Sequence, residues 1–301
     1  MTGITGRMTS AKFFWVDVFA QTPLTGNPLA LVPDADALSV SQMIAIAREF
    51  NQSETTFLVA PTAPEADYRL RSFTPDGSEV LGAGHNAMGA WIWLASHGKL
   101  PADRAAYTQQ IGDDLLPVRI DRESGAAVRV TMRQSAPRFL RQVPELAALS
   151  DALALPIEEL ATSLPPEVGS TGAEHLLVAV TSRAAVDRAV PNSVALKSVL
   201  VRNGAEGCYI YSTEPGDDGA DAYARFFNPT VGIAEDPATG TAAGPLAALL
   251  ARESHAERGQ VVRIVQGSKL GRPSVLRAFV DEDRVELSGS GVVVAEGTLQ
   301  L

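Results

Sequence analysis

The chain has 301 residues, with 25 Lys and Arg against 35 Asp and Glu, for a formal net charge of −10. That acidic balance, with no basic run, argues against nucleic acid or an anionic membrane as partner, since both need clustered Lys and Arg. The single cysteine, Cys208, excludes an internal disulfide, a cysteine-based zinc site and any reaction needing two facing thiols.

With 46% hydrophobic and 20% charged residues, the composition is that of a globular protein of about two domains. The longest apolar runs, such as Ala87 to Ala95, fall far short of the roughly 20 residues that span a bilayer. The opening MTGITGRMTS lacks the apolar core and cleavage site of a secretory signal, so a cytoplasmic location is expected, with Met8 as a possible alternative start.

Phe13 to Phe19 is apolar and aromatic enough for a strand, TPLTGNP at 22–28 is a turn-rich loop, and Leu29 to Val32 reads as the returning strand. Ser39 and Gln42 have capping-box spacing, and Met43, Ile44, Ile46, Ala47 and Phe50 form the apolar face of a helix ending near Asn51. Thr55 to Ala60 and Tyr68 to Phe73 then read as a hairpin. Pairing Ala60 with Asp67 places Glu54 opposite Phe73. The loop from FTP through Gly84-His85 leads into AMGAWIWLASHG, which has no charge across its length and so reads as a buried helix ending at Gly98.

Residues 106–120 and 127–139 read as paired strands closing the first half. Helices are expected near 143–152, 157–162 and 182–190, strands at 175–181, 196–202 and 207–212, and strand and turn over the last forty residues. Phe73-Thr74-Pro75, eight residues, Gly84-His85 and a small-residue helix are echoed by Phe227-Asn228-Pro229, ten residues, Gly240-Thr241 and AAGPLAALLA. This order and spacing point to an internal duplication, with a continuous crossover near residue 139.

Each half thus delivers a glycine-led loop to the start of a buried helix, where unpaired N–H groups and a partial positive charge suit a small anion. Neither loop matches a nucleotide-binding pattern, and a tight turn explains either glycine pair equally well. Glu54, in NQSETTF between a helix end and a buried strand, is placed to lose solvation, which raises a carboxyl's pKa towards neutrality and equips it to move protons. A solvated strand-edge glutamate, or a cap partner for Ser53, fits the residues as well. His85 at a helix start would be held neutral by the dipole, or would merely pack there. Asp236, before Pro237, suits an N-cap or Asx-turn as well as catalysis. His97, His175 and His255 are scattered and lack metal-ligand spacing, and Cys208 reads as core.

Together, 17-DVFAQTPLTGNPLALV-32, 51-NQSETTF-57, 73-FTPDGSEVLGAGHNAMG-89, 227-FNPTVGIAEDPATGTAAGPLAALL-250 and 266-QGSKLGRPS-274 resemble the PhzF-like phenazine biosynthesis family, within the diaminopimelate epimerase fold. The resemblance implies an α+β fold of two similar domains, each a mixed β-sheet or barrel wrapped around a central buried helix, with the active site in the cleft between them. Residues 11–139 and 140–301 would be the two domains, the last strand able to pack back on the first. It also implies a homodimer, a small anionic metabolite as substrate, and no cofactor or metal. Glu54 corresponds to the family's general acid/base in the cofactor-free isomerisation of trans-2,3-dihydro-3-hydroxyanthranilate. His85 and Asp236 are expected to assist, and Gly84, Asn86, Gly240, Thr241 and Ser53 to hold substrate.

Thr241 stands where the family usually has serine, Asn86-Ala87 where it commonly has Ala-Thr or Pro-Thr, and the loop from Pro75 to Gly84 is about one residue longer than usual. The expected activity is therefore a cofactor-independent isomerase on a small carboxylate. Two alternatives stay open: an epimerase, racemase or dehydratase on an amino or hydroxy acid, or a non-catalytic anion-binding protein. Two-base enzymes of this fold tend to carry cysteines at the starts of both buried helices. Here those places hold His85 in one half and Asp236 with Thr241 in the other, leaving Glu54 as the proton-moving group.

Overall fold

The computed structural model describes residues 10–122, 128–160 and 163–301. Met8, the first residue of the strand expected from Ala127, and the end of the helix expected over 157–162 lie outside the described residues. Two compact units are present. One holds the described residues up to Leu24 with Pro28–Thr131 and Ser290–Leu301, the other Thr25–Asn27 with Met132–Gly289.

The first unit is built from β1 (Ser10–Val18), β2 (Asn27–Val32), α1 (Val40–Phe50), β3 (Thr55–Val59), β4 (Tyr68–Phe73), β5 (Glu79–Val80), α2 (His85–Ser96), β6 (Ala106–Ile111), β7 (Asp114–Asp121) and the start of β8 (Arg129–Gln134). β1 pairs antiparallel with residues 291–300, from Val18↔Gly291 to Ser10↔Gln300. α1 starts where the sequence places it, because Ser39 accepts the Gln42 N–H at 3.3 Å while the Gln42 side chain takes the Ser39 N–H at 3.1 Å. It stops at Asn51, which adopts the left-handed conformation at φ 52°. Its buried face, Met43, Ile46 and Ala47, packs with Phe57 of β3 and Phe73 of β4. Ser39→Ala removes one half of the box and is expected to lower stability by about 1 kcal/mol, read as a fall in the denaturation midpoint at unchanged slope.

The β3–β4 hairpin forms one residue out of the expected register: Thr55 faces Phe73 and Thr56 faces Ser72. Ala60 and Asp67 do not pair. The Ala60 N–H goes to Asp36 Oδ1 at 2.7 Å and the Asp67 N–H to the Thr108 carbonyl at 2.8 Å, so the mouth of the hairpin is held by its neighbours. Glu54 therefore sits just before the first ladder pair, at the end of the hairpin nearest the α2 loop. α2 is buried from His85 to Leu94, as its lack of charge predicts. Gly89 permits its closest contact, since a Cβ there would lie 2.5 Å from Leu29 Cδ2 and 2.8 Å from Val18 Cγ2. The indole of Trp91 donates to Gln109 Oε1 at 2.8 Å, satisfying two buried polar groups at once.

Residues 106–120 are two strands rather than one. They fold on themselves as the β6–β7 hairpin, Ile111 facing Asp114 across Gly112-Asp113. The glycine-aspartate pair supplies the turn, a signal that outranks the continuous β-rich pattern.

The second unit continues with β9 (Arg138–Gln142), α3 (Leu146–Leu153), a 3₁₀ turn at Ile157–Glu159, β10 (Glu167–Ser170), β11 (Glu174–Ala179), α4 (Arg183–Arg188), α5 (Ser193–Arg202), β12 (Gly207–Ser212), β13 (Ala222–Asn228), β14 (Ile233–Asp236), α6 (Gly240–Arg252), β15 (Val261–Gln266), β16 (Ser274–Asp281) and β17 (Arg284–Gln300), whose Arg284–Ser288 stretch pairs with β16. Residues 196–202, expected as a strand, belong to α5. The Asn192 side chain caps that helix by accepting the Ala195 N–H at 3.0 Å, and Leu196, Val199 and Leu200 are its buried residues. Their spacing of three and four is helical, and it overrides the β preference of the valines.

The duplication is explicit in the pairings. In the first unit β2 runs parallel to β3, β3 antiparallel to β4, β4 antiparallel to β5 and parallel to β6, and β6 antiparallel to β7. The second unit repeats this with β11, β12, β13, β14, β15 and β16 in the same relations. α2 and α6 occupy the same place in the order, each nearly all buried. The architecture is α+β, two similar mixed sheets each enclosing one apolar helix. Among the described residues, no helix is long and apolar enough to cross a membrane.

Candidate active site

In the first unit, the short connection between α1 and β3 carries Ser53 and Glu54, and the start of α2 carries His85 and Asn86. Glu54 Oε2 lies 3.2 Å from His85 Nε2, with the histidine side chain 9% and the glutamate side chain 20% exposed. Among the described residues, that oxygen nonetheless has no aligned hydrogen bond. Loss of hydration by burial pushes the Glu54 carboxyl up from 4.5 to about 7. Ser53 Oγ stands 3.5 Å from the same His85 nitrogen. A carboxyl poised near neutrality, partly open and within reach of an imidazole, is the arrangement that general acid/base chemistry requires.

Asn86 does something the sequence does not reveal. Its Oδ1 accepts the Gly84 N–H at 2.7 Å, and its Nδ2 donates to Ser72 Oγ and to the Gly82 carbonyl, both at 3.1 Å. Ser72 in turn is bonded to Thr56 Oγ1 at 2.9 Å. Asn86 is thus a buried clamp tying the glycine loop to β3 and β4, and the Gly84 N–H expected to face substrate is already engaged. Ser72 and Thr56 were invisible as site residues because alternation alone marks them only as strand positions.

In the second unit Asp236 ends β14. Its Oδ1 accepts from Asn27 Nδ2 at 2.9 Å, its Oδ2 from the Thr239 hydroxyl, and its carbonyl from Gln266 Nε2 at 2.7 Å. Asn27 also donates to the Ala238 carbonyl at 2.9 Å. Gln266 Oε1 collects the Thr239 N–H at 3.2 Å and the Tyr209 hydroxyl at 2.9 Å. Both carboxylate oxygens of Asp236 are therefore spent on holding the loop that starts α6. Asn27 and Gln266 lie in the TGNP and QGSK stretches, so their motifs were legible while their partners were not.

The start of α6 has Thr239 as N-cap with no side-chain cap bond, followed by Gly240 and a partly exposed Thr241. Gln134 Nε2 donates to the Gly240 carbonyl at 2.9 Å and Thr171 Oγ1 donates to Gln134 Oε1 at 2.8 Å, fixing that turn from outside. Thr241 Oγ1 is 3.0 Å from Nε2 of His175, a buried histidine of β11 that sequence spacing left among the scattered ones. Cys208 is fully buried in β12, and burial pushes its thiol up to about 12, which makes it inert. Among the described residues, no group of three or more His, Cys, Asp and Glu is arranged to hold a metal ion.

Residues 16–297 match the family described as phenazine biosynthesis-like protein, PhzC-PhzF. The chain is 36% identical over 95% of its length to trans-2,3-dihydro-3-hydroxyanthranilate isomerase of Pseudomonas chlororaphis, covering 98% of that protein. It superposes on the PhzF-family protein of Bacillus anthracis with TM-score 0.90 at 29% identity, over 98% of this chain and 100% of that one. A hydroxyproline epimerase from Agrobacterium vitis shares the fold, with TM-score 0.65 at 11% identity over 97% and 91% of the two chains. A family match over nearly the whole chain and two repeated units each around a buried helix lead to one conclusion: the chain belongs to the phenazine biosynthesis-like PhzC-PhzF family and is a PhzF-like isomerase.

Proposed function

We propose that the protein isomerises a small carboxylate by moving one proton between carbons without a cofactor, with Glu54 as the single acid/base. The observation that carries this reading is the Glu54 carboxyl itself, raised to about 7, lacking an aligned hydrogen bond and 3.2 Å from His85 Nε2. As carboxylate it removes a proton from a carbon next to an electron-withdrawing group. As carboxylic acid it returns that proton to another carbon of the same substrate, so nothing is consumed or released. His85 and Ser53 orient the carboxyl and the substrate. In the second unit, the open end of α6 at Gly240 and Thr241, kept in shape by Asp236, suits a carboxylate. The relatives named as trans-2,3-dihydro-3-hydroxyanthranilate isomerases make that compound the first substrate to try.

Incubating the protein with it in heavy water tests the reading, with isomerisation, configuration and loss of water followed separately. Isomerised product with no water lost is expected, bearing deuterium at the new C–H position to the extent that the Glu54 proton exchanges with solvent before its return. Inversion at one carbon would indicate an epimerase, and binding without turnover a module that has kept the fold alone.

A further inference from the structure

The second unit contains a buried polar group that the reaction above leaves unused. His175 is 2% exposed, its Nε2 is 3.0 Å from Thr241 Oγ1, and its Nδ1 has no hydrogen-bond partner among the described residues. The ring also lies edge-on to Phe226, with centroids 5.0 Å apart, so it cannot swing away to find another partner.

A neutral imidazole carries one proton, on either nitrogen, and the two choices have opposite consequences for Thr241. With the proton on Nδ1, a buried N–H would have no acceptor, and the threonine hydroxyl would spend its own proton on Nε2. With the proton on Nε2, the histidine donates to Thr241 Oγ1, and only a lone pair on Nδ1 is left without a partner. Orphaned buried N–H groups are rarer than under-used acceptors, which selects the second arrangement. Burial keeps the ring neutral by pushing its pKa down to about 3, so one of these two tautomers is present throughout the physiological range.

We infer that His175 is a positioning residue that fixes Thr241 as a hydrogen-bond donor at the start of α6, making this hydroxyl, with the neighbouring backbone N–H groups, a receptor for a carboxylate oxygen. Its proton cannot turn back to Nε2, because that position is already occupied by a donor. A threonine free to rotate would lose part of its donor character to its own surroundings. The inference rests on the reading of Gly240 and Thr241 as carboxylate holders, and it adds the residue that sets the direction of the bond.

The test has two independent parts. The long-range ¹H–¹⁵N spectrum of protein labelled in histidine, with the His175 signals assigned by their loss in His175→Gln, reads the tautomer in the unaltered protein. Protonation on Nε2 is expected, and protonation on Nδ1 overturns the inference whatever the enzyme acts on. Kinetics with trans-2,3-dihydro-3-hydroxyanthranilate supply the second part. Loss of one hydrogen bond to a bound carboxylate corresponds to a rise in KM of about tenfold or more. His175→Phe and Thr241→Val are each expected to show that rise with kcat and its pH profile little changed, Thr241→Ser, which keeps the hydroxyl, to show a smaller rise than Thr241→Val, and the double variant to be no worse than either single one. Equal, multiplicative losses in the double variant would mean that His175 acts independently of Thr241 and would overturn the inference. Absence of turnover by the unaltered protein would count against the proposed substrate, and the tautomer would still decide the role of His175.

Discussion

Glu54→Gln is expected to lower kcat by 10²–10⁴-fold, the usual worth of a positioned acid/base, while KM stays within a few-fold. The amide keeps the shape of the side chain and its place before β3, but it can neither take nor return a proton. In the unaltered protein kcat/KM should rise with pH through about 7, because the carboxylate form must be present to start the reaction. The same substitution should affect stability in the opposite sense. The folded chain holds the Glu54 proton up to about 7, whereas an unfolded chain releases it near 4.5. Between those values the native state binds more protons than the unfolded one, so its stability falls as pH rises. Above both values the penalty is complete, and Glu54→Gln should then be the more stable protein by up to about 3 kcal/mol, with no difference below pH 4.5. Chemical denaturation at the two pH extremes measures this. Full activity in Glu54→Gln, or equal stability at pH 8, would mean that the carboxyl is neither the base nor a strained group.

The second large effect belongs to Gly267, next to the glutamine that braces the Asp236 loop. It adopts φ +78°, and a Cβ there would stand 2.5 Å from both the Arg272 and the Pro237 carbonyl oxygens. Neither oxygen is the flexible tip of a side chain, so nothing can rotate away. Left-handed strain of about 1–2 kcal/mol adds to an overpacking cost of about 1–3 kcal/mol. Gly267→Ala is therefore expected to destabilise by about 3 kcal/mol and lower Tm by on the order of 10 °C. Because Pro237 follows Asp236 directly, the displaced backbone would also pull the start of α6 out of place, and a KM rise should accompany the thermal loss. A Tm within about 1 °C of the parent would show that the loop is looser than these contacts imply.

How much of this was legible beforehand varied with the range of the interaction. The α1 capping box, the buried character of α2 and the Gly84 and Gly240 helix starts depend on neighbours a few residues apart, and they appear where the sequence puts them. The β3–β4 register slipped because it is set by Asp36 and Thr108, both distant in sequence, rather than by the loop itself. The α5 segment was misread because three valines and two leucines suit a strand until the Asn192 cap is recognised. The candidate site follows the same division. Glu54 stood out through its place between a helix end and a strand, whereas its lack of an aligned partner, the Asn86 clamp, and the link from His175 to Thr241 across 66 positions depend on tertiary contacts that no local pattern encodes.

The pairing of β1 with residues 291–300 imposes an order on how the protein can be made. The first unit is translated early, yet one edge of β1 finds its partner only when residues 291–300, made after the whole second unit, have left the ribosome. Until then a strand with alternating buried positions, Phe14, Val16 and Val18 among them, presents unpaired amides to whatever is nearby. The nascent chain therefore passes through a stage in which a nearly complete first unit keeps an open edge while the whole second unit is synthesised. Such non-local closure slows folding and favours pairing between chains. Trimming the final strand should convert that passing exposure into a permanent one.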